Sequence, residues 1–158
     1  MSVSIRPFTS SDLSALKQLI HGTIDVSYAD AYPPRARDYF KSFHSDEAIF
    51  ERSEKGLILM AESSETGALV GTGSMVDQDI FALFVSPDHQ GEGIGKRLME
   101  RLESRAAESG MALAELHVSL PSKAFYENLG YTMLEACAVD VGGGEELKYW
   151  RAEKHLVP

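Results

Sequence analysis

The chain holds a single cysteine, Cys137, among its 158 residues. An internal disulfide framework is therefore excluded, and the composition suits a reducing compartment such as the cytoplasm. No run approaches the roughly 18 apolar residues that a membrane-spanning helix requires. The start, Met1-Ser-Val-Ser-Ile-Arg-Pro7, lacks the charged opening and apolar core of a secretory signal. The expectation is a cytoplasmic protein with no membrane partner. Histidines are scattered at 21, 44, 89, 117 and 155, in no spacing that metal ligation uses, so no metal is expected. Long basic runs are absent too, and the formal net charge is −9. Nucleic-acid backbones bind clustered Lys and Arg, so that class of partner is disfavoured. An acidic surface attracts cations such as amines over distance, and equally serves plain solubility.

What is present begins with apolar content. Hydrophobic residues make up 44% of the chain, enough for a proper core at this length. No repeat, linker or low-complexity tract divides it, and residues 1–158 read as one domain. Ser4 to Pro7 suits a short strand. Thr9 to Asp12 offers helix caps before Leu13, Leu16, Leu19 and Ile20, whose spacing predicts an amphipathic helix. Tyr32-Pro33-Pro34 breaks the chain, and a second helix is expected over Arg35 to Phe43, with a short helical piece from Ser45 to Arg52. Gly56 to Ala61 and Ala68 to Val76 form a hairpin, and Asp79 to Val85 continues the meander. Ile94, Leu98, Met99, Leu102 and Ala106 make a helical stripe closed by Gly110. Met111 to Val118 is a strand that should run parallel to 79–85 through this helical crossover. A short helix over Pro121 to Asn128 precedes strands at Tyr131 to Val139 and Glu145 to Trp150, joined by Gly142-Gly-Gly144. The fold class is α/β, in the order β-α-α-β-β-β-α-β-α-β-β.

The most informative stretch follows the 79–85 strand: Gln90-Gly91-Glu92-Gly93-Ile94-Gly95-Lys96 opens directly into a helix. Glycines let the backbone pass close to a ligand, and a helix start leaves amides unpaired, so the segment is an anion cradle. A Walker A loop is rejected. Gly95-Lys96 is followed by Arg97 rather than Ser or Thr, and Gln90 stands where the first glycine belongs. The dinucleotide pattern G-x-G-x-x-G fails on spacing, and the motif lies past the midpoint of the chain.

The segment resembles the Q/R-x-x-G-x-G/A signature of the GNAT superfamily, the acyl-CoA-dependent N-acyltransferases, and the resemblance extends over almost the whole chain. It implies a single-domain GNAT fold, a mixed sheet of six or seven strands flanked by helices and splayed near its centre. It also implies acetyl-CoA as co-substrate. The amides of Gly91, Glu92, Gly93, Ile94, Gly95 and Lys96 would hold the pyrophosphate, with Gln90 at the first motif position. Leu83, Phe84 and Val85 would pair with the pantetheine arm as a strand does, and a bulge is usual there. Ser122 stands where many relatives carry an asparagine that touches pantetheine.

Ser122-Lys-Ala-Phe-Tyr126-Glu-Asn-Leu-Gly130-Tyr131 is similar to the family's F/L-Y-E-K-L-G-F/Y motif. The resemblance makes Tyr126 the general acid that protonates the leaving thiolate; the same residue also suits a packing aromatic beside Phe125. Asp79, eleven positions before Gln90, matches where histone-type members place a catalytic glutamate. Being one methylene shorter, it would act through water, and it reads equally well as a turn carboxylate. His117 is an alternative base or a half-buried structural histidine. Arg97 falls on a solvated face from which it could reach a phosphate. Residues 21–45, with Tyr28, Tyr32, Tyr39, Phe40 and Phe43 among Asp25 and Asp30, suit either a lid over a cationic acceptor or ordinary packing. Cys137 lies outside both motifs, so direct transfer is expected rather than a covalent acyl-enzyme. The expected partner is a small-molecule or peptide amine, and a homodimer is compatible with the sequence. A non-catalytic acyl-CoA-binding or sensing module is the other functional class.

Overall fold

The computed structural model describes residues 2–157. Seven strands form one sheet in the order β1-β2-β3-β4-β5-β7-β6. These are β1 (Val3–Pro7), β2 (Leu57–Ser63), β3 (Leu69–Val76), β4 (Asp79–Val85), β5 (Leu113–Ser119), β6 (Thr132–Gly142) and β7 (Glu145–His155). All neighbours are antiparallel except β4 and β5, which are joined by a helical crossover. The helices are α1 (Leu13–Ser27), α2 (Pro34–Ser42), α3 (Asp46–Lys55), α4 (Ile94–Glu108) and α5 (Lys123–Asn128).

Strand alternation sorts the core into two layers. Leu59 and Ala61 of β2 pack with Ile94, Leu98, Met99 and Leu102 of α4, while Ile58 and Met60 pack with Leu16, Ile20 and Ile24 of α1 and Ile49 of α3. Gly71 and Gly73 let α4 lie close on β3. A Cβ on Gly71 would sit 3.0 Å from the Ile94 Cγ2, and one on Gly73 would sit 3.0 Å from the Leu102 Cδ1.

Three helices rather than the expected two separate β1 from β2, because α3 buries Ile49 and Arg52, and α1 and β7 run well past their local pattern. Helix α1 continues past Ile20 to Ser27 because Thr23 and Ile24 extend the buried stripe, the Thr23 hydroxyl bonding back to the Leu19 carbonyl at 2.7 Å. Strand β7 continues past Trp150 to His155 because Leu113 to Ser119 of β5 pair with it. Residues 151–155 are mostly charged, so only that distant partner specifies them as strand.

The alternation breaks in β4, and this break positions the site. Ile80, Leu83 and Val85 face α4, whereas Ala82 and Phe84 face α1. Thr72 pairs with Phe84 and Ser74 with Phe81, so Ala82 and Leu83 together oppose Gly73. Ala82 takes a left-handed φ of 57°. This is a β-bulge, which bends its strand and ends regular pairing. Asp79 opposite Glu115 is the one registered pair between β4 and β5. Beyond it the two strands part.

Candidate active site

The parting strands border three adjoining clefts. The first, of about 510 Å³, is lined by Thr23, Ser27 and Tyr28 of α1, by Leu83 to Val85, by the loop into α4, and by Ser122 and Phe125. Gly91 and Gly93 have φ of 80° and 84°, and a Cβ added at either would meet no atom within 4 Å. Left-handed backbone of this kind favours glycine. It leaves all six amides from Gly91 to Lys96 without a backbone or side-chain acceptor among the described residues. Six free amides at the start of a fifteen-residue helix form an electropositive concavity suited to phosphate.

The predicted cradle residues do not all play the same part. Gly91, Gly93, Ile94, Gly95 and Lys96 line the cleft. The Gln90 side chain is a brace: its amide donates to the Ser27 hydroxyl and the Val85 carbonyl, both at 3.0 Å. Glu92 turns its carboxylate to the His89 Nδ1 at 3.2 Å and contributes only backbone here. Gly95 serves packing, since a Cβ there would lie 3.0 Å from the Phe125 ring. Arg97 donates to the Val3 carbonyl at 2.9 Å, which ties α4 to β1 and occupies the side chain that could have reached a phosphate.

The second cleft, of about 500 Å³, lies on the other side of the bulge and shares Tyr28, Leu83, Phe84 and Ser122 with the first. Tyr126 borders it. Its ring packs edge-on against Phe125 and Tyr131 at 5.0 and 5.6 Å, and burial pushes its pKa well above the usual phenol value. No hydrogen bond occupies its hydroxyl among the described residues. The packing reading holds for the ring, and the residue also borders the second cleft. The Ser122 hydroxyl lies 2.7 Å from that of Ser119. Tyr28, between the clefts, is also raised by burial, an effect that these two serines partly offset.

The third cleft, of about 640 Å³, opens on the α3 side and is lined by Asp79, Glu115, His117 and residues of α3. Asp79 and Tyr126 therefore border different clefts. His117 borders both. It is exposed, not half-buried, and stacks on Tyr149 at 4.8 Å between ring centres. Of the aromatic 21–45 segment, Tyr28, Tyr39, Phe40 and Phe43 line the second cleft; Tyr32 is structural, donating to the Lys148 carbonyl at 2.6 Å and accepting from the Leu120 amide at 2.9 Å. Asp25 is paired with Lys41 at 2.5 Å and Asp30 is exposed, and neither lines a cleft.

Two side chains that sequence reasoning missed complete the second cleft. Arg52 and His44 are both buried, with Arg52 donating to the His44 Nδ1 and the Phe43 carbonyl at 3.0 Å each. The signal for Arg52 was its place three residues after Ile49, on the buried stripe of α3. His44 sits in a turn with no periodicity to mark it.

A bulged, splayed mixed sheet with a free-amide loop at the mouth of its crossover helix defines an α/β architecture whose central cleft suits an anion. Residues 26–142 match the family model described as an acetyltransferase (GNAT) domain, and the chain belongs to that family. It is similar to the mycothiol acetyltransferase of Kytococcus sedentarius, with 26% identity over 147 residues, 90% of this chain. The chain spans about half of that relative, 48% of its length. Among solved structures, a GCN5-related N-acetyltransferase of Rhodopseudomonas palustris superposes with a TM-score of 0.88 at 24% identity, covering 99% of this chain and 97% of that one. The PaiA N-acetyltransferase of Thermoplasma acidophilum, solved with coenzyme A, gives 0.79 at 20% identity over 98% and 99% of the two chains. YncA of Salmonella typhimurium, solved with acetyl-CoA, gives 0.68 at 20% identity over 100% and 96%. These likenesses establish the seven-stranded mixed fold with its flanking helices. No helix among the described residues is long and apolar enough to cross a membrane.

Proposed function

We propose that the chain transfers an acetyl group from acetyl-CoA to an amine by direct attack. The observation that carries this reading is the row of six free amides beside the open edge of β4. The amides suit a pyrophosphate, and the unpaired edge suits the amide groups of a pantetheine arm, which hydrogen-bonds as an added strand would. The coenzyme A and acetyl-CoA bound to similar structures support the choice of ligand. Ser122, at the junction of the clefts, would touch the arm, and an N–H near Leu83 at the bulge would polarise the thioester carbonyl.

The acceptor enters from the second cleft. An alkylamine has a pKa near ~10.4, so it arrives protonated and must lose a proton before it attacks. His117 borders the clefts of both Tyr126 and Asp79, and in this proposal it carries that proton outward to Asp79, directly or through water. As nitrogen bonds to the acetyl carbon and the carbon–sulfur bond breaks, Tyr126 donates its proton to the departing thiolate, and the second proton, shed by the acylated nitrogen, returns to the phenolate and restores it. Burial keeps the phenol protonated, and the same dry surroundings raise the thiolate's proton affinity to match it.

Thermal denaturation and thiol release test the reading together. Acetyl-CoA should raise the melting temperature, and a broad amine panel should release free thiol from it. Stabilisation without release by any amine would instead favour a non-catalytic acyl-CoA sensor. In the same assay Asp79→Asn and His117→Gln identify the base, which is the group whose loss removes the acid limb of kcat/KM.

A further inference from the structure

Arg52 is 6% exposed and has no carboxylate within ion-pair distance among the described residues. Its Nη2 bonds two neutral acceptors, the Phe43 carbonyl and the His44 Nδ1. Its Nη1 is buried with no partner at all. The guanidinium carbon sits over the Phe81 ring, 4.9 Å from its centre, on the residue next to the bulged Ala82. A buried cation without a counter-ion is costly, and a π face and two neutral acceptors compensate it only in part. Burial lowers the Arg52 pKa to about 10, which leaves it charged at neutral pH.

The surroundings point the same way. Arg52 borders the second and third clefts, and no Asp or Glu lines the second, where Tyr126 lies. His44 accepts from Arg52 on Nδ1, so its proton is assigned to Nε2, a further donor beside the cation. The remaining wall is aromatic, including Tyr28, Phe40, Phe43, Phe81 and Tyr149. A second cationic group on the acceptor would meet like charge here, with ring faces but no carboxylate to hold it. A carboxylate would supply the missing counter-ion, with the rings covering an apolar body.

We propose that the acceptor is an amine that also bears a carboxylate and an apolar or aromatic body, an amino-acid-type molecule whose anionic group pairs with Arg52. This rests on the acetyltransferase reading and adds its substrate class.

The test compares L-phenylalanine with L-phenylalaninamide and phenethylamine as acceptors, followed by thiol release. The carboxylate-bearing amine should show kcat/KM at least about tenfold higher than either neutralised analogue, and Arg52→Gln should erase that margin while Arg52→Lys retains part of it. The products are compared separately by thermal shift on CoA-loaded wild-type protein, where N-acetylphenylalanine should stabilise and its amide should not. Equal turnover of the three amines, or equal stabilisation by the two products, overturns the carboxylate assignment. If CoA binds and N-acetylphenylalanine selectively stabilises but no amine releases thiol, the anion site stands and the transferase reading falls.

Discussion

The cleft proposed for the cofactor and the cleft proposed for the acceptor meet at Tyr28, Leu83, Phe84 and Ser122, yet they are made in different ways. The first is largely backbone. Its cradle comes from seven consecutive residues, Gln90 to Lys96, whose glycines turn amides outward and whose helix supplies the dipole. The second is side chains delivered by the end of α1, by α2, α3, α5, β4, β5 and the β6–β7 hairpin. A backbone site tolerates drift in surrounding side chains but not a change of φ. An assembled site can change specificity through single side chains such as Arg52, leaving the donor half untouched.

Mutations that act on one cleft alone sharpen this contrast. The largest effect is expected for Gly93→Val. A β-branched residue at φ 84° is strained by roughly 1–3 kcal/mol, and relaxing that strain turns the amides away. CoA affinity by calorimetry should fall roughly a hundredfold. Binding that stays tight would show that the cradle is not where the pyrophosphate lies. Next comes Tyr126→Phe, which keeps the ring packing against Phe125 and Tyr131 but deletes the hydroxyl. Turnover should fall by about tenfold to a hundredfold with CoA affinity within about twofold. Unchanged kcat would end the general-acid assignment and leave Tyr126 as a core aromatic.

The smallest effect concerns the acceptor wall itself. His44 is held neutral, its pKa lowered from 6.5 to about 3 by burial, with the Arg52 charge adding to the effect. The unfolded chain therefore takes up a proton near pH 6.5 that the folded chain refuses. Stability is unaffected above that pH and declines as pH falls from about 6.5 toward 3, each unit of separation being worth about 1.4 kcal/mol. Asp12, held below the usual carboxylate range by Arg6, adds its own loss only below about pH 4. Urea melts at pH 7 and 5 should thus show a drop in stability that His44→Gln flattens. An identical drop in the variant would assign the acid sensitivity to other groups.

Legibility in the sequence followed the same division. Helix α4 was readable from Ile94, Leu98, Met99, Leu102 and Ala106, and its free amides from the glycines just before them. The meander β2-β3-β4 and the parallel crossover to β5 were readable from apolar runs and turns. Residues 151–155 were not, because a charged segment becomes strand only by pairing with β5. The bulge at Ala82 was not readable either, since DIFALFV has no glycine to announce a left-handed residue. Arg97 lies on the solvated face its spacing predicts, but the Val3 carbonyl that it binds could not be read from nearby sequence.

By itself the sequence determined the seven strands, their order and the free-amide loop of the proposed donor site, because strand alternation and a glycine-opened helix start act over a few consecutive residues. Only the tertiary structure brings together the proposed acceptor site. Burial and the lack of a counter-ion at Arg52, the shared wall at Tyr28 and the bridging place of His117 all depend on groups distant in the chain. Such contacts exist only once the sheet has closed over them.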